Sequence, residues 1–167
     1  MNLATFETPT GPVELRHARA GDVLGIVAML HDDQIAADRD SVRETGDEAE
    51  DEAVYLAAFA RIEADPSSEL FVLTDADGTL VGTLQFNVLP GLSRRGSDRA
   101  QLEAVRIDSA RRGGGLGSQF IGWALEEARR RGCGHVQLTS DARRVDARRF
   151  YERLGFVASH VGMKREL

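Results

Sequence analysis

The sequence predicts an α/β protein in which helices cover both faces of a mixed β-sheet. Three observations predict it. Strand-like and helix-like periodicities alternate along the chain in the order β-α-α-β-β-β-α-β-α-β. Two neighbouring strand-like runs are joined by Asp75-Ala76-Asp77-Gly78-Thr79, a hairpin signal. Between Arg99 and Thr139 come a strand, a glycine-rich loop, a helix and another strand, a unit that closes as a right-handed crossover.

The elements follow in order. Pro12 to Arg19 alternates through Val13 and Leu15 and predicts a first strand. Asp22 is placed as an N-cap or first-turn acid ahead of Leu24, Val27, Ala28 and Leu30 at helical spacing. Val54, Leu56, Ala57, Phe59, Ala60 and Ile62 predict a second helix, which stops before Pro66. Glu69–Asp75 and Leu80–Val88 form the hairpin, and Pro90-Gly91 turns the chain into a strand over Arg99–Ile107. A long helix runs from about Gly117 to Arg131 with Phe120, Ile121, Ala124, Leu125 and Ala128 on one face. Gly132 and Gly134 end it. His135–Thr139 is a short strand, Val145–Leu154 a helix closed by Gly155, and the tail is expected to add a last strand or two.

At 167 residues the chain suits one domain over residues 1–167, with a core of its own. No apolar run approaches the roughly 20 residues a membrane span needs. Met1 to Pro12 lacks the basic start and apolar core of a signal peptide, so the expected location is cytoplasmic. A single cysteine, Cys133, between two glycines suits a small buried thiol. The four histidines are scattered, and no metal site is expected. The net charge of −6 argues against general nucleic-acid binding.

Chemistry starts at the loop. Gly113, Gly114, Gly115 and Gly117 free the backbone to turn several N–H groups toward one point, and the helix opening there adds the positive end of its dipole. The result is an anion site with Arg111 or Arg112 as charge partner. Gly117-Ser118-Gln119 lacks the Lys-Ser/Thr of a nucleoside-triphosphate loop. A dinucleotide fingerprint starting at Gly115 would need a small residue where Phe120 stands.

Arg112-x-x-Gly115-x-Gly117 after Leu102–Ile107 resembles the cofactor motif of the GCN5-related N-acetyltransferase (GNAT) superfamily. Ala147-Arg148-Arg149-Phe150-Tyr151-Glu152-Arg153-Leu154-Gly155-Phe156 resembles the same family's last-helix signature. The resemblance implies a mostly antiparallel sheet splayed at a cofactor cleft, and acetyl-CoA as co-substrate without a metal. It implies that backbone groups around Val105 to Ile107 pair with the pantetheine arm, and that the Val105 N–H donates to the thioester oxygen. The N–H groups of Gly113, Gly115, Gly117 and Ser118, beside Gly114, would hold the pyrophosphate. Tyr151 resembles the general acid that protonates the leaving thiolate; a core aromatic beside Phe150 and Phe156 is the other reading. Many relatives carry asparagine three residues before the alanine matched by Ala147. Arg144 stands there instead, so either it touches the cofactor phosphates or that contact is lost.

An acceptor amine must lose a proton before it attacks. From an ordinary pKa of about 10.4 this costs about 4.6 kcal/mol at pH 7, within reach of one carboxylate. Glu103, two residues before Val105 and so expected on the same strand face, is the candidate base; a plain exposed carboxylate or a partner for Arg99 is the alternative. The acceptor is expected to be a small-molecule primary amine. Asp32–Glu52, with ten acids against Arg39 and Arg43, suits a cationic acceptor or is simply a solvated loop. Gly91–Gly96, with Arg94 and Arg95, suits one that also carries a carboxylate or phosphate. By analogy with related proteins a homodimer is expected. Two other classes stay open: a non-catalytic acetyl-CoA-binding module, and a phosphate-loop domain unrelated to acyl transfer.

Overall fold

The computed structural model of the chain describes residues 1–32 and 48–165. Six strands lie side by side in sequence order: β1 (Asn2–Thr8), β2 (Gly11–His17), β3 (Ser68–Asp75), β4 (Leu80–Leu89), β5 (Arg99–Ile107) and β6 (His135–Leu138). The first five are antiparallel neighbours, and β6 alone runs parallel to its neighbour β5. The principal helices are α1 (Val23–His31), α2 (Glu48–Ala64), α3 (Leu116–Arg130) and α4 (Val145–Arg153).

Strand alternation sorts the apolar side chains onto two faces. Phe71 and Leu73, Leu84 and Phe86, and Ala100 and Leu102 point to one face. There they meet Leu116, Phe120, Ile121, Ala124 and Ala128 of α3 in one buried cluster. Val72 points to the other face, where Val23 and Ile26 of α1 and Phe59 of α2 are also buried. On that side α1 lies against β4 and β5, and α2 against β3 and α1. The C-terminal end of α3 is pinned by Arg131, which pairs with Glu127 and Glu69 and sits 5.1 Å over the Phe86 ring. No helix among the described residues is long and apolar enough to cross a membrane.

Two expectations about the strands are corrected. The predicted first strand is the second arm of a hairpin. β1 precedes it and pairs along it, although Phe6 is its only buried side chain, too little to mark a strand by periodicity. The strand expected after α4 does not form among the described residues. Phe156 N–H donates back to the Tyr151 carbonyl (3.1 Å) and Ser159 N–H to the Val157 carbonyl (2.8 Å), local bonds in place of a ladder. Val157, Val161 and Met163 are correspondingly exposed. Most of the acidic segment, residues 33–47, lies outside the described residues.

Candidate active site

The site begins where two strands part. β5 and β6 pair only over Arg99–Leu102 and His135–Leu138. From Glu103 on, β5 keeps β4 at one edge and has no strand at the other among the described residues. Asp108 N–H donates to the Val81 carbonyl of β4 (3.0 Å), so the backbone groups of Ile107, alternating with it, face the open edge. The Ile107 carbonyl accepts from Arg112 Nε (3.0 Å) and the Val105 carbonyl from the Arg106 guanidinium (2.9 Å), side-chain donors instead of a strand.

The strand also changes pitch at this point. Between the pairs Gln85↔Glu103 and Thr83↔Arg106, β4 advances two residues and β5 three. Ala104 absorbs the extra residue with φ 52, a left-handed conformation that alanine rarely adopts. This bulge corrects the period-two inference that placed Glu103 and Val105 on one face, because alternation does not carry across an inserted residue. Glu103 instead stands at the mouth of the gap, one residue beyond the last β5–β6 pair, with its side chain exposed.

On the far side of the gap's floor the chain turns into α3. The Asp108 carboxylate accepts from Ala110 N–H (2.9 Å) and starts a tight turn over Ser109–Arg111. Gly113 and Gly115 then take φ of 83 and 82, which a side chain would strain. Gly115 is the N-cap of α3 and has no side chain with which to cap, so the first-turn N–H groups are offered outward. Gly113, Gly115 and Ser118 are exposed there. Gly114 and Gly117 face neighbours that a side-chain carbon would meet at ordinary contact distance. A Cβ on Gly114 would meet the Pro9 ring at 3.4 Å, and one on Gly117 would meet Phe150 Cζ at 3.4 Å. A hollow of about 170 Å³ lies between this loop and the β1–β2 hairpin, lined by Thr8, Thr10, Arg111, Arg112 and Gly114 among others.

The two candidate arginines separate cleanly. Arg111 bonds Asp75 Oδ2 and Thr10 Oγ1, both at 2.5 Å, and is half-buried, so it ties the loop to β3 and the hairpin. Arg112 spends its Nε on Ile107 and is otherwise exposed at the loop. Arg112→Ala is therefore expected to weaken acetyl-CoA binding about tenfold or more with an unchanged melting temperature, whereas Arg111→Ala lowers the melting temperature. Calorimetric titration and thermal melts of both variants test this; the reverse pattern would overturn the assignment.

α4 brings Tyr151 in. Phe150 packs on the first turn of α3 at Gly117, and Tyr151 is held edge-on between Phe150 (5.1 Å) and Phe156 (5.7 Å). Burial raises its phenol pKa above the usual 10, opposed by the nearby charges of Arg106 and Arg144. Arg144, at the N-cap of α4, is near enough for its charge to act on the Tyr151 phenol. Cys133 is half-buried, and desolvation raises its thiol pKa, helped by Asp98, which suits an inert thiol. The turn carrying Arg94 and Arg95, both with left-handed φ, precedes β5, so it lies at the end of that strand away from the gap. It sits next to His135, whose pKa is lowered by burial and by the charges of Arg94 and Arg99.

Sequence reasoning missed Gln101, Gln137 and Asp75. The glutamines alternate with Ala100, Leu102, Val136 and Leu138 and form a polar row on the α1 side of the sheet. Their period-two pattern with Glu103 was the available signal. Asp75 carried none, since its partner Arg111 is 36 residues away.

A mixed sheet that opens beside a glycine-built helix mouth defines an α/β protein with a cleft at the parting of its parallel strands. The chain belongs to the Acetyltransferase (GNAT) family, whose model matches residues 19–156. It is similar to the crystal structure of a transcriptional regulator from Bacillus halodurans C-125, with 43% identity and a TM-score of 0.83, covering 93% of this chain and 99% of that one. It shares its fold with glucosamine-6-phosphate N-acetyltransferase from Arabidopsis thaliana at 20% identity and a TM-score of 0.72, covering 92% and 97% of the two chains. An aminoalkylphosphonate N-acetyltransferase of Salmonella typhimurium is 43% identical over 56 residues, which is 34% of this chain and 36% of that relative's length.

Proposed function

We propose that this chain moves an acetyl group from acetyl-CoA to the primary amine of a small molecule by direct attack. The observation that carries the reading is the β5 edge from Val105 to Ile107, which has no neighbouring strand among the described residues, beside the first turn of α3, which no side chain caps. These fit the co-substrate: the helix mouth suits a diphosphate, and an open strand edge suits an amide-rich arm added like a strand. Acetyl-CoA supplies the thioester whose carbonyl carbon the amine attacks. Val105 N–H donates to the carbonyl oxygen as negative charge develops there. Arg112 and the N–H groups of Gly113, Gly115, Gly117 and Ser118 hold the diphosphate, and Arg144 adds charge near Tyr151. Glu103 accepts the amine's proton, directly or through water, and Tyr151 returns one to the departing sulfur.

Burial raises the phenol pKa above the usual range, so loss of wild-type turnover from Tyr151 ionisation should set in at higher pH than an ordinary phenol would give. Tyr151→Phe is expected to lower kcat about tenfold between pH 7 and 9 with acetyl-CoA affinity intact. That is less than general acids often contribute, because a thiol of pKa about 8.5 leaves a tolerable thiolate. An unchanged kcat would remove the acid role.

The deciding experiment is CoA release with an amine panel: polyamines, aminoglycosides, lysine-like amines and, because the Salmonella relative carries that activity in its name, aminoalkylphosphonates. The second reading is a non-catalytic acetyl-CoA sensor, which the Bacillus halodurans relative's description as a transcriptional regulator favours. A sensor needs neither Glu103 nor Tyr151. Stabilisation by acetyl-CoA but not by ATP or NAD, with no CoA release from any amine, would establish it in place of the transferase.

A further inference from the structure

Gln101 is only 8% exposed in the middle of β5, on the face that bears Glu103. Its Nε2 donates to Glu103 Oε1 at 2.7 Å, and its Oε1 accepts from Gln137 Nε2 at 2.5 Å. Chemistry sets the direction of this chain. A carboxylate only accepts, so Gln101 must present its NH2 to Glu103, which leaves its carbonyl for Gln137, its direct partner in the parallel register. Gln85, opposite Glu103 on β4, does not compete: its Nε2 donates to Asn87 Oδ1 (3.0 Å), which also accepts from Ser68 Oγ (2.9 Å). Glu103 is thus gripped through Oε1 by a buried amide whose own rotamer is locked across the strand pair.

We infer that Gln101 is the positioning residue for Glu103, holding Oε1 so that Oε2 faces the acceptor amine at the mouth of the gap, with Gln137 as the brace behind it. Within the bulge-free part of β5, where the strand still has partners on both edges, Gln101 occupies rigid ground; Glu103, one residue beyond the last β5–β6 pair, does not. This role rests on the reading of Glu103 as base.

A double-mutant cycle tests it, with Gln101→Leu, Glu103→Gln and the double variant assayed on the amine returned by the panel. Gln101→Leu is expected to lower kcat about tenfold, the effect of losing one hydrogen bond to a charged group, with acetyl-CoA KM unchanged. In the Glu103→Gln background the same substitution should change kcat less than twofold. An equal loss in both backgrounds would show that Gln101 acts elsewhere and overturn the inference. A Glu103→Gln variant as active as wild type, or a panel without any substrate, would bring down the base reading and this role with it. Should Gln101→Leu fail to fold, the exposed Gln137→Met decides. It is expected to lower kcat two- to threefold only where Glu103 is present, and no effect in either background would overturn the proposal.

Discussion

Glu103→Gln is expected to lower kcat about 100-fold at pH 7 while leaving acetyl-CoA affinity and the melting temperature unchanged. The substitution keeps the shape of the side chain, and its carbonyl still accepts the bond from Gln101 Nε2, so packing at the gap is preserved. What it loses is the capacity to take a proton. Acceptor amines stand near 10.4, and without a base the enzyme must draw on the free-amine fraction, a deficit of about 4.6 kcal/mol at pH 7. Positioned bases recover a factor of about 10² to 10⁴. The variant's rate should therefore climb nearly tenfold per pH unit toward the amine's own pKa, whereas the wild-type rate rises less steeply. Steady-state kinetics from pH 6 to 10 check both parts. A variant within twofold of wild type at pH 7 would show that Glu103 is an exposed carboxylate and nothing more.

Gly115→Val is expected to raise the acetyl-CoA dissociation constant about 100-fold. The reason is conformational and not steric. A Cβ at Gly115 would meet nothing within 4 Å, but the residue holds φ 82 as the N-cap of α3. A β-branched side chain there costs of order 1–3 kcal/mol. The loop escapes that strain by rotating, and rotation turns the first-turn N–H groups off their common target. Losing two hydrogen bonds to an anion, at about 1.5 kcal/mol or more each, accounts for the factor. Gly122→Ala, on the same helix, without positive φ and with open space at its Cβ, is the control and should bind normally. Calorimetric titration measures all three proteins. If Gly115→Val binds within threefold of wild type, the left-handed glycine is not what shapes the anion site.

Much of the architecture was legible before any coordinates. β3, β4, β5, α3 and α4 fall within about one residue of the bounds that periodicity, Gly-Pro punctuation and the hairpin signal predicted. The glycine loop was legible for the same reason: four glycines ahead of an amphipathic helix state a local backbone requirement, and local requirements are written in neighbouring residues. β1 was not, because an edge strand that buries only Phe6 leaves no alternation to read. The C-terminal strand that does not form among the described residues is the converse case. Val157, Val161 and Met163 alternate like a strand, yet a strand exists only where a neighbour accepts its ladder.

Residue order alone thus established the strand–loop–helix unit, the glycine loop at its turn and the family signature around Tyr151, since each depends on residues close together in the chain. Contacts between distant segments settled the rest. They decided that Arg111 is spent on Asp75 while Arg112 is left at the loop, that β6 leaves β5 after Leu102, that a bulge at Ala104 separates Glu103 from Val105, and that Gln101 donates to the Glu103 carboxylate while accepting from Gln137. Such pairings arise from the closing of a sheet, where register and side-chain reach choose among many chemically equivalent partners, and no local pattern specifies that choice.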